Sequence, residues 1–177
     1  PWQILTQEIG LKLKIIPMSK DGELLEEEFL RLLTPNTKFV SLVHCSNTLG
    51  TINDIKKYID QAHSVGAKVL IDGAQMVSSH PVNVQDLDCD FYVFSGHKIF
   101  APFGIGVVYG KYDLWQSLPP YQGGGSMISE VKFDHTTYQE APHKFEAGTP
   151  AVAEAIALKS ALDFVDSIGL DNISKYE

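Results

Sequence analysis

Only two cysteines, Cys45 and Cys89, occur among the 177 residues, too few for the disulfide framework of a small secreted domain. Each lies in or beside an apolar, strand-like run, so both are expected as buried, reduced thiols in a reducing compartment. Positive charge is also scarce. Fourteen Lys and Arg stand against twenty-two Asp and Glu, a formal charge of −8. Without a basic stripe, the chain is expected to bind no nucleic acid. A small phosphate stays within reach, because backbone N–H groups and helix N-termini hold one locally. No apolar run approaches the roughly 20 residues that span a bilayer, so no membrane partner is expected. The longest, Phe39 to Val43 and Phe91 to Phe94, have the length of buried strands. No Cys/His spacing suggests zinc, and no metal is expected. The chain opens on Pro1, in mid-element, and stops at Glu177 at the end of a helix-like stretch, as a piece of a longer protein would.

What is present is an alternation of helix-like and strand-like segments, which points to an α/β fold. Trp2 to Ile9 reads as a helix closed by Gly10 in a left-handed cap. Leu11 to Pro17 reads as a strand with Leu11, Leu13 and Ile15 on one face. Asp21-Gly22 is a turn signal. Glu23 to Leu33 has helical spacing through Leu25, Phe29, Leu32 and Leu33, and ends before Pro35. Lys38 to His44 is a short apolar strand. Asn53 to Val65 is a helix whose inner face is Ile55, Tyr58, Ile59 and Ala62, stopped by Gly66. Lys68 to Ile71 and Asp90 to Phe94 are apolar runs of parallel-strand type. Gly104 to Tyr109 follows too closely to cross over, so it is expected to run antiparallel. Pro119 to Pro150 is rich in Gly, Pro and polar residues with little periodicity, and a stretch of that length is usually functional or an interface. Glu154 to Ser167 resumes a helix.

Three polar clusters fall where apolar strands end: His44-Cys45-Ser46-Asn47, Asp72-Gly73-Ala74-Gln75 and Ser95-Gly96-His97-Lys98. Open α/β sheets bind ligands at the carboxyl ends of their strands, so three such clusters suggest one site. Lys98 follows Phe91-Tyr92-Val93-Phe94 through a small-residue turn. Desolvation there would lower its pKa toward that of a nucleophile; alternatively its amine snorkels out to water. Asp72 ends Val69-Leu70-Ile71, where a buried carboxylate needs a cationic or N–H partner. It could equally cap the segment that starts at Gly73. Of the histidines, His63 is expected on an exposed helix face and His135 and His143 in the polar loop, while His44 and His80 flank strand ends.

Asp72-x-x-Gln75 followed by Ser95-Gly96-His97-Lys98 is similar to the fold-type I pyridoxal-phosphate enzymes of the class V aminotransferase group. More closely, the chain resembles the SufS-type cysteine desulfurases and the related selenocysteine lyases. His44 to Gly50, Val69 to Gln75, Asp88 to Lys98, Gly123 to Ile128 and Phe145 to Pro150 carry the likeness, in order and along the whole chain. The resemblance implies a three-layer sandwich with a mostly parallel sheet and one antiparallel strand. It implies that residues 1–177 are the central part of the cofactor-binding large domain, with an N-terminal segment and a C-terminal small domain absent, and that the piece alone is inactive.

The resemblance also implies roles. Lys98 would bind pyridoxal phosphate covalently and later move the substrate's α-proton. Asp72 would keep the pyridine nitrogen protonated. Gln75 would donate to the cofactor's phenolate oxygen, and Ser95 and His97 would bind its phosphate. Asn47 would lie near the substrate carboxylate. Thr149 would reach the phosphate of a neighbouring subunit's cofactor, in a homodimer, with Gly123 to Gly125 near that interface. The implied substrate is L-cysteine or L-selenocysteine. The implied outcome for cysteine is L-alanine plus an enzyme persulfide, passed to a sulfur-acceptor protein for iron–sulfur cluster assembly, in the cytoplasm or, in a plant or alga, the plastid. Cys45 and Cys89 do not match the family's sulfur-accepting cysteine, which is expected beyond residue 177, as is the arginine that binds the substrate carboxylate. The histidine that stacks on the cofactor is expected before Pro1. The alternatives are selenocysteine lyase, a kynureninase-like class V enzyme, or a non-catalytic module of the same fold; Asp72, Gln75, His97 and Lys98 together speak against the last.

Overall fold

A computed structural model describes residues 1–177. Its framework is a four-stranded sheet in the order β1-β2-β3-β4. Helix α1 (Trp2–Ile9) and α2 (Glu26–Leu32) precede β1 (Phe39–Val43); α3 (Ile55–Ser64) crosses from β1 to β2 (Lys68–Asp72), and α4 (Val84–Leu87) from β2 to β3 (Phe91–Ser95). A 3-10 turn, Gly96–Ile99, leads toward β4 (Gly106–Gly110). Then come α5 (Tyr112–Ser117), the hairpin of β5 (Ile128–Val131) and β6 (Thr136–Tyr138), a 3-10 turn at His143–Phe145, α6 (Val152–Ile168) and α7 (Leu170–Tyr176). β1, β2 and β3 are parallel, and β4 is antiparallel to β3. The sheet is thus mostly parallel with one antiparallel pair, and helices pack around it, as expected.

Register decides which residues share a face. Val40 pairs with Val69, Leu42 with Ile71, and Ile71 with Tyr92, so these five point to one side. That side is the core: all five are at most 7% exposed, and Ile55, Tyr58, Ile59 and Ala62 of α3 pack on it with Phe29. The inner face read from the spacing of α3 is the observed one. Each large side chain buried there contributes roughly 1.5–3 kcal/mol of transfer free energy. A second cluster joins Leu158, Ala161 and Val165 of α6 to Ile99 and Ala101, just beyond the end of β3. Asp72, Val93, Ser95, Gly106 and Val108 point to the opposite side, which is more open.

Two expectations are corrected. Leu11 to Pro17 is not a strand: Leu11, Leu13 and Ile15 are 49%, 45% and 74% exposed, and the only bridge nearby, Met18 to Leu24, lies just beyond the segment. Alternation describes a face, but a strand also needs a neighbour paired with it to complete its ladder, and none is. The second helix begins at Glu26 instead of Glu23, because Leu25 N–H donates to Pro17 O at 3.0 Å and holds the preceding residues extended. Within Pro119 to Pro150 the structure has the β5–β6 hairpin, whose Phe133 is fully exposed, and it leaves all of β6 exposed.

Candidate active site

The carboxyl ends of β2 and β3 lie side by side, Asp72 pairing with Val93, and Ser95 with Gly106 of β4. A cavity of about 470 Å³ opens over them, lined by Asp72, Ala74, Val93, Ser95, Gly106 and Val108 among others. Two of the polar strand ends read from the sequence therefore meet in one space. His97 joins them: its Nδ1 lies 2.8 Å from Ser95 Oγ. Lys98 follows on the 3-10 turn Gly96–Ile99, which is tied down by Gly96 N–H to Ile105 O at 2.9 Å and Ala101 N–H to Gly96 O at 3.1 Å. Gly96 must be glycine here, since a Cβ would press on Ile105.

Asp72 departs from expectation. It is exposed, and its Oδ1 accepts one N–H, from Ala74 at 3.0 Å. The cap and the open carboxylate coexist: one oxygen tightens the turn, and the group faces the cavity. Lys98 is half-buried, so the full enclosure expected from its apolar approach is not there; its neighbours Phe100 and Phe103 point outward, 63% and 82% exposed. Gln75 is half-buried on the turn after β2. Asn47 is exposed on the loop after β1, where its Oδ1 accepts from Thr48 Oγ1 at 3.4 Å. Thr149 is exposed in a different neighbourhood, beside Gly148, whose N–H donates to Gly125 O at 2.9 Å. Of the predicted site residues, Asp72 and Ser95 line the cavity, His97 reaches it through its bond to Ser95, and Asn47, Gln75, Lys98 and Thr149 do not line it.

The donor set suits an aldehyde-bearing, phosphorylated heteroaromatic ring. An exposed carboxylate answers a ring nitrogen and a hydroxyl with an imidazole a phosphate, and the primary amine that would answer the aldehyde stands on the turn just after them. No group of three or more His, Cys, Asp or Glu could hold a metal ion, and no helix is long and apolar enough to cross a membrane.

Three polar residues outside the cavity have partners that residue order does not reveal. His63 is not on a free helix face: its Nε2 lies 2.7 Å from Asp90 Oδ2. Asp90 is fully buried, and also takes Val69 N–H at 2.8 Å and Lys68 Nζ at 3.2 Å. Burial pushes the Asp90 carboxyl up, but the His63 bond, the Val69 N–H and Lys68 outweigh it and hold it below its ordinary value. Tyr92, read only as apolar, sends its hydroxyl to His44 Nδ1 at 2.9 Å. Of the thiols, Cys89 is fully buried, and burial pushes it up to about 11, whereas Cys45 is only half-buried.

The family described as Aminotransferase class-V matches residues 1–177. A cysteine desulfurase of Enterobacter sp. (strain 638) is 51% identical over 178 residues, covering all of this chain and 44% of that protein. The crystal structure of the cysteine desulfurase CsdA from Escherichia coli superposes with a TM-score of 0.91 at 42% identity, covering 97% of this chain and 43% of that one. The apo cysteine desulfurase of Thermococcus onnurineus NA1 does so with a TM-score of 0.92 at 35% identity, covering 98% and 44%. The chain thus spans less than half the length of these relatives.

Proposed function

From the premise that the chain belongs to the class V aminotransferase family, with the fold of a fold-type I large domain, we propose that the intact protein is a pyridoxal-phosphate-dependent cysteine desulfurase. The supporting observation is the placement of Asp72 and Ser95 on one face at adjacent strand ends, with His97 bonded to Ser95 and Lys98 on the same short turn. A scaffold has no use for an exposed acid at one strand end and a serine, an imidazole and an amine grouped at the next. The relatives that match over the whole chain are themselves named cysteine desulfurase.

Bound pyridoxal phosphate would supply an electron sink for the negative charge left when the substrate's α-carbon loses its proton. The residues supply the rest. Lys98 Nζ would hold the cofactor and would carry the substrate's α-proton. Asp72 keeps a proton on the ring nitrogen. Ser95 Oγ and the His97 ring anchor the phosphate, Gln75 donates to the ring oxygen, and Asn47 orients the substrate carboxylate. Sulfur leaves L-cysteine for a protein cysteine as a persulfide, L-alanine is released, and an acceptor protein takes the sulfur toward iron–sulfur clusters. Neither thiol of this chain suits that step. Cys89 is fully buried and stays protonated at neutral pH, and burial also pushes Cys45 up, so neither offers a ready thiolate. From the family likeness, the persulfide is read as forming on a cysteine outside residues 1–177. Residues 1–177 are read as the central part of the large domain of a cytoplasmic homodimer, in which Thr149 reaches the cofactor of the other subunit.

The full-length protein is tested with pyridoxal phosphate and then with L-cysteine and L-selenocysteine. Yellow protein that forms alanine and a persulfide from cysteine supports the proposal. Alanine formed from selenocysteine alone replaces it with selenocysteine lyase, and protein that remains colourless removes it.

A further inference from the structure

The Asp72–Gly73 peptide, on which the proposed cofactor acid rides, is gripped from three directions. Asp72 O accepts the backbone N–H of His44 at 2.8 Å from the β1 side. Gly73 N–H donates to Val93 O at 2.9 Å on the β3 side. From the core side, the ring and hydroxyl of Tyr92 lie so close under Gly73 that a Cβ there would run into them. The two flanking strands are then joined beneath the turn, because Tyr92 Oη lies 2.9 Å from His44 Nδ1, with the two rings 5.9 Å apart and nearly perpendicular. Tyr92 is 2% and His44 8% exposed, so neither has an easy replacement partner in water. His44 is further fixed by Asn53 N–H, which donates to its carbonyl at 2.9 Å.

We propose that the buried His44–Tyr92 hydrogen bond is a positioning device for Asp72, setting where its carboxylate stands in the cavity. The inference rests on the reading of Asp72 as the partner of a pyridine nitrogen, and it goes beyond that reading by naming two buried residues that do not line the cavity. The chain of action is short. Removing the phenol hydroxyl leaves His44 Nδ1 unpaired in the core; His44 shifts to satisfy it; and the N–H that His44 donates to Asp72 O moves with it. Misplacement of a binding group by a fraction of an ångström is enough to weaken what it holds.

The test is made on full-length apo-protein by calorimetric titration with pyridoxal phosphate and with its carbocyclic analogue, in which carbon replaces the ring nitrogen. Tyr92→Phe is expected to weaken pyridoxal phosphate roughly tenfold and to leave binding of the analogue within about twofold, since the analogue has nothing for Asp72 to hold. Equal weakening of both ligands, or of neither, overturns the inference while leaving the cofactor reading intact. Wild-type protein that binds neither ligand removes the cofactor reading and the inference together, a pattern distinct from the first. Should Tyr92→Phe fail to fold, His44→Asn, which keeps a polar partner for the phenol, is expected to preserve the discrimination and His44→Leu to lose it; identical behaviour of the two overturns the inference.

Discussion

Two aspartates sit at opposite ends of the same sheet and share little else. Asp72 closes β2 at the cavity, exposed, with a single N–H on its carboxylate. Asp90 stands just before β3, fully buried, and is met by His63, Lys68 and the Val69 N–H, with Lys111 3.9 Å away. Lys111 also pairs with Asp88, which lies 3.7 Å from His63, so the closed end is a network and not a lone pair. The difference is one of satisfaction. An acid whose lone pairs are all taken holds chain segments together, and an acid left open toward a cavity is available to a ligand. Strand ends are natural places for both, and only the partners tell them apart.

The largest expected effect is at the open end. Lys98→Ala in the full-length protein should abolish the yellow colour and lower turnover by at least about 10³-fold, with a melting temperature close to wild type because the side chain is only half-buried. A coloured, active Lys98→Ala protein would end the assignment of the amine. Asp72→Asn should keep the colour and lose about 10²-fold or more in turnover, with little change in stability. Asp90→Asn should do the reverse. It leaves His63, Lys68 and Lys111 facing a neutral amide in a buried place, at a cost of about 3 kcal/mol in urea unfolding, while kcat per folded molecule is kept. If the two variants behaved alike, the division between a binding end and a structural end would fail.

Acid separates the ends in another way. Burial, with His80 nearby, pushes His44 down from 6.5 to about 4. Above about pH 6.5 the imidazole is neutral folded or unfolded, and the contribution is complete. As pH falls below that, the unfolded chain takes up a proton that the folded chain refuses, and stability is lost until pH about 4, roughly 3 kcal/mol in all. Asp90 acts later. Its lowered carboxyl contributes fully above its unfolded value and loses that contribution only as pH falls through its folded one. Unfolding measured between pH 7 and pH 4.5 should therefore weaken in wild type and weaken less in His44→Asn. Parallel curves for the two proteins would show that His44 is not the group responsible.

Much of this was readable from residue order, and what was not has identifiable causes. The inner face of α3 and the antiparallel β4 follow from spacing and connection length, which are local properties. The polar strand ends follow from the change from apolar to polar residues. The Asp90 network does not, because Asp90 looks like the first residue of an apolar strand and its partners come from α3, β2 and the loop after β4. His63 reads as exposed for the same reason: helical spacing says which way a side chain points, and not that a buried carboxylate lies there. Tyr92 has the same weakness, since burial in a core is legible in the sequence and the hydroxyl's partner 48 residues away is not. Leu11 to Pro17 failed in the opposite sense, its alternation intact and its ladder missing.

The smallest expected effect calibrates the rest. Lys56 and Asp60 form an ion pair at 2.8 Å on the outer side of α3, 44% and 57% exposed. It lies on the helix that delivers His63 to Asp90, yet water and salt screen it. Its order along the helix, with the lysine first, is the weaker of the two arrangements at this spacing. Lys56→Gln should therefore change unfolding free energy by only about 0.3 kcal/mol, roughly a tenth of the Asp90→Asn effect, and by less at high salt. A loss comparable to that of Asp90→Asn would mean that charge count, and not burial of the acid, sets the strength of the closed end. The contrast between the two aspartates would then need a different physical basis.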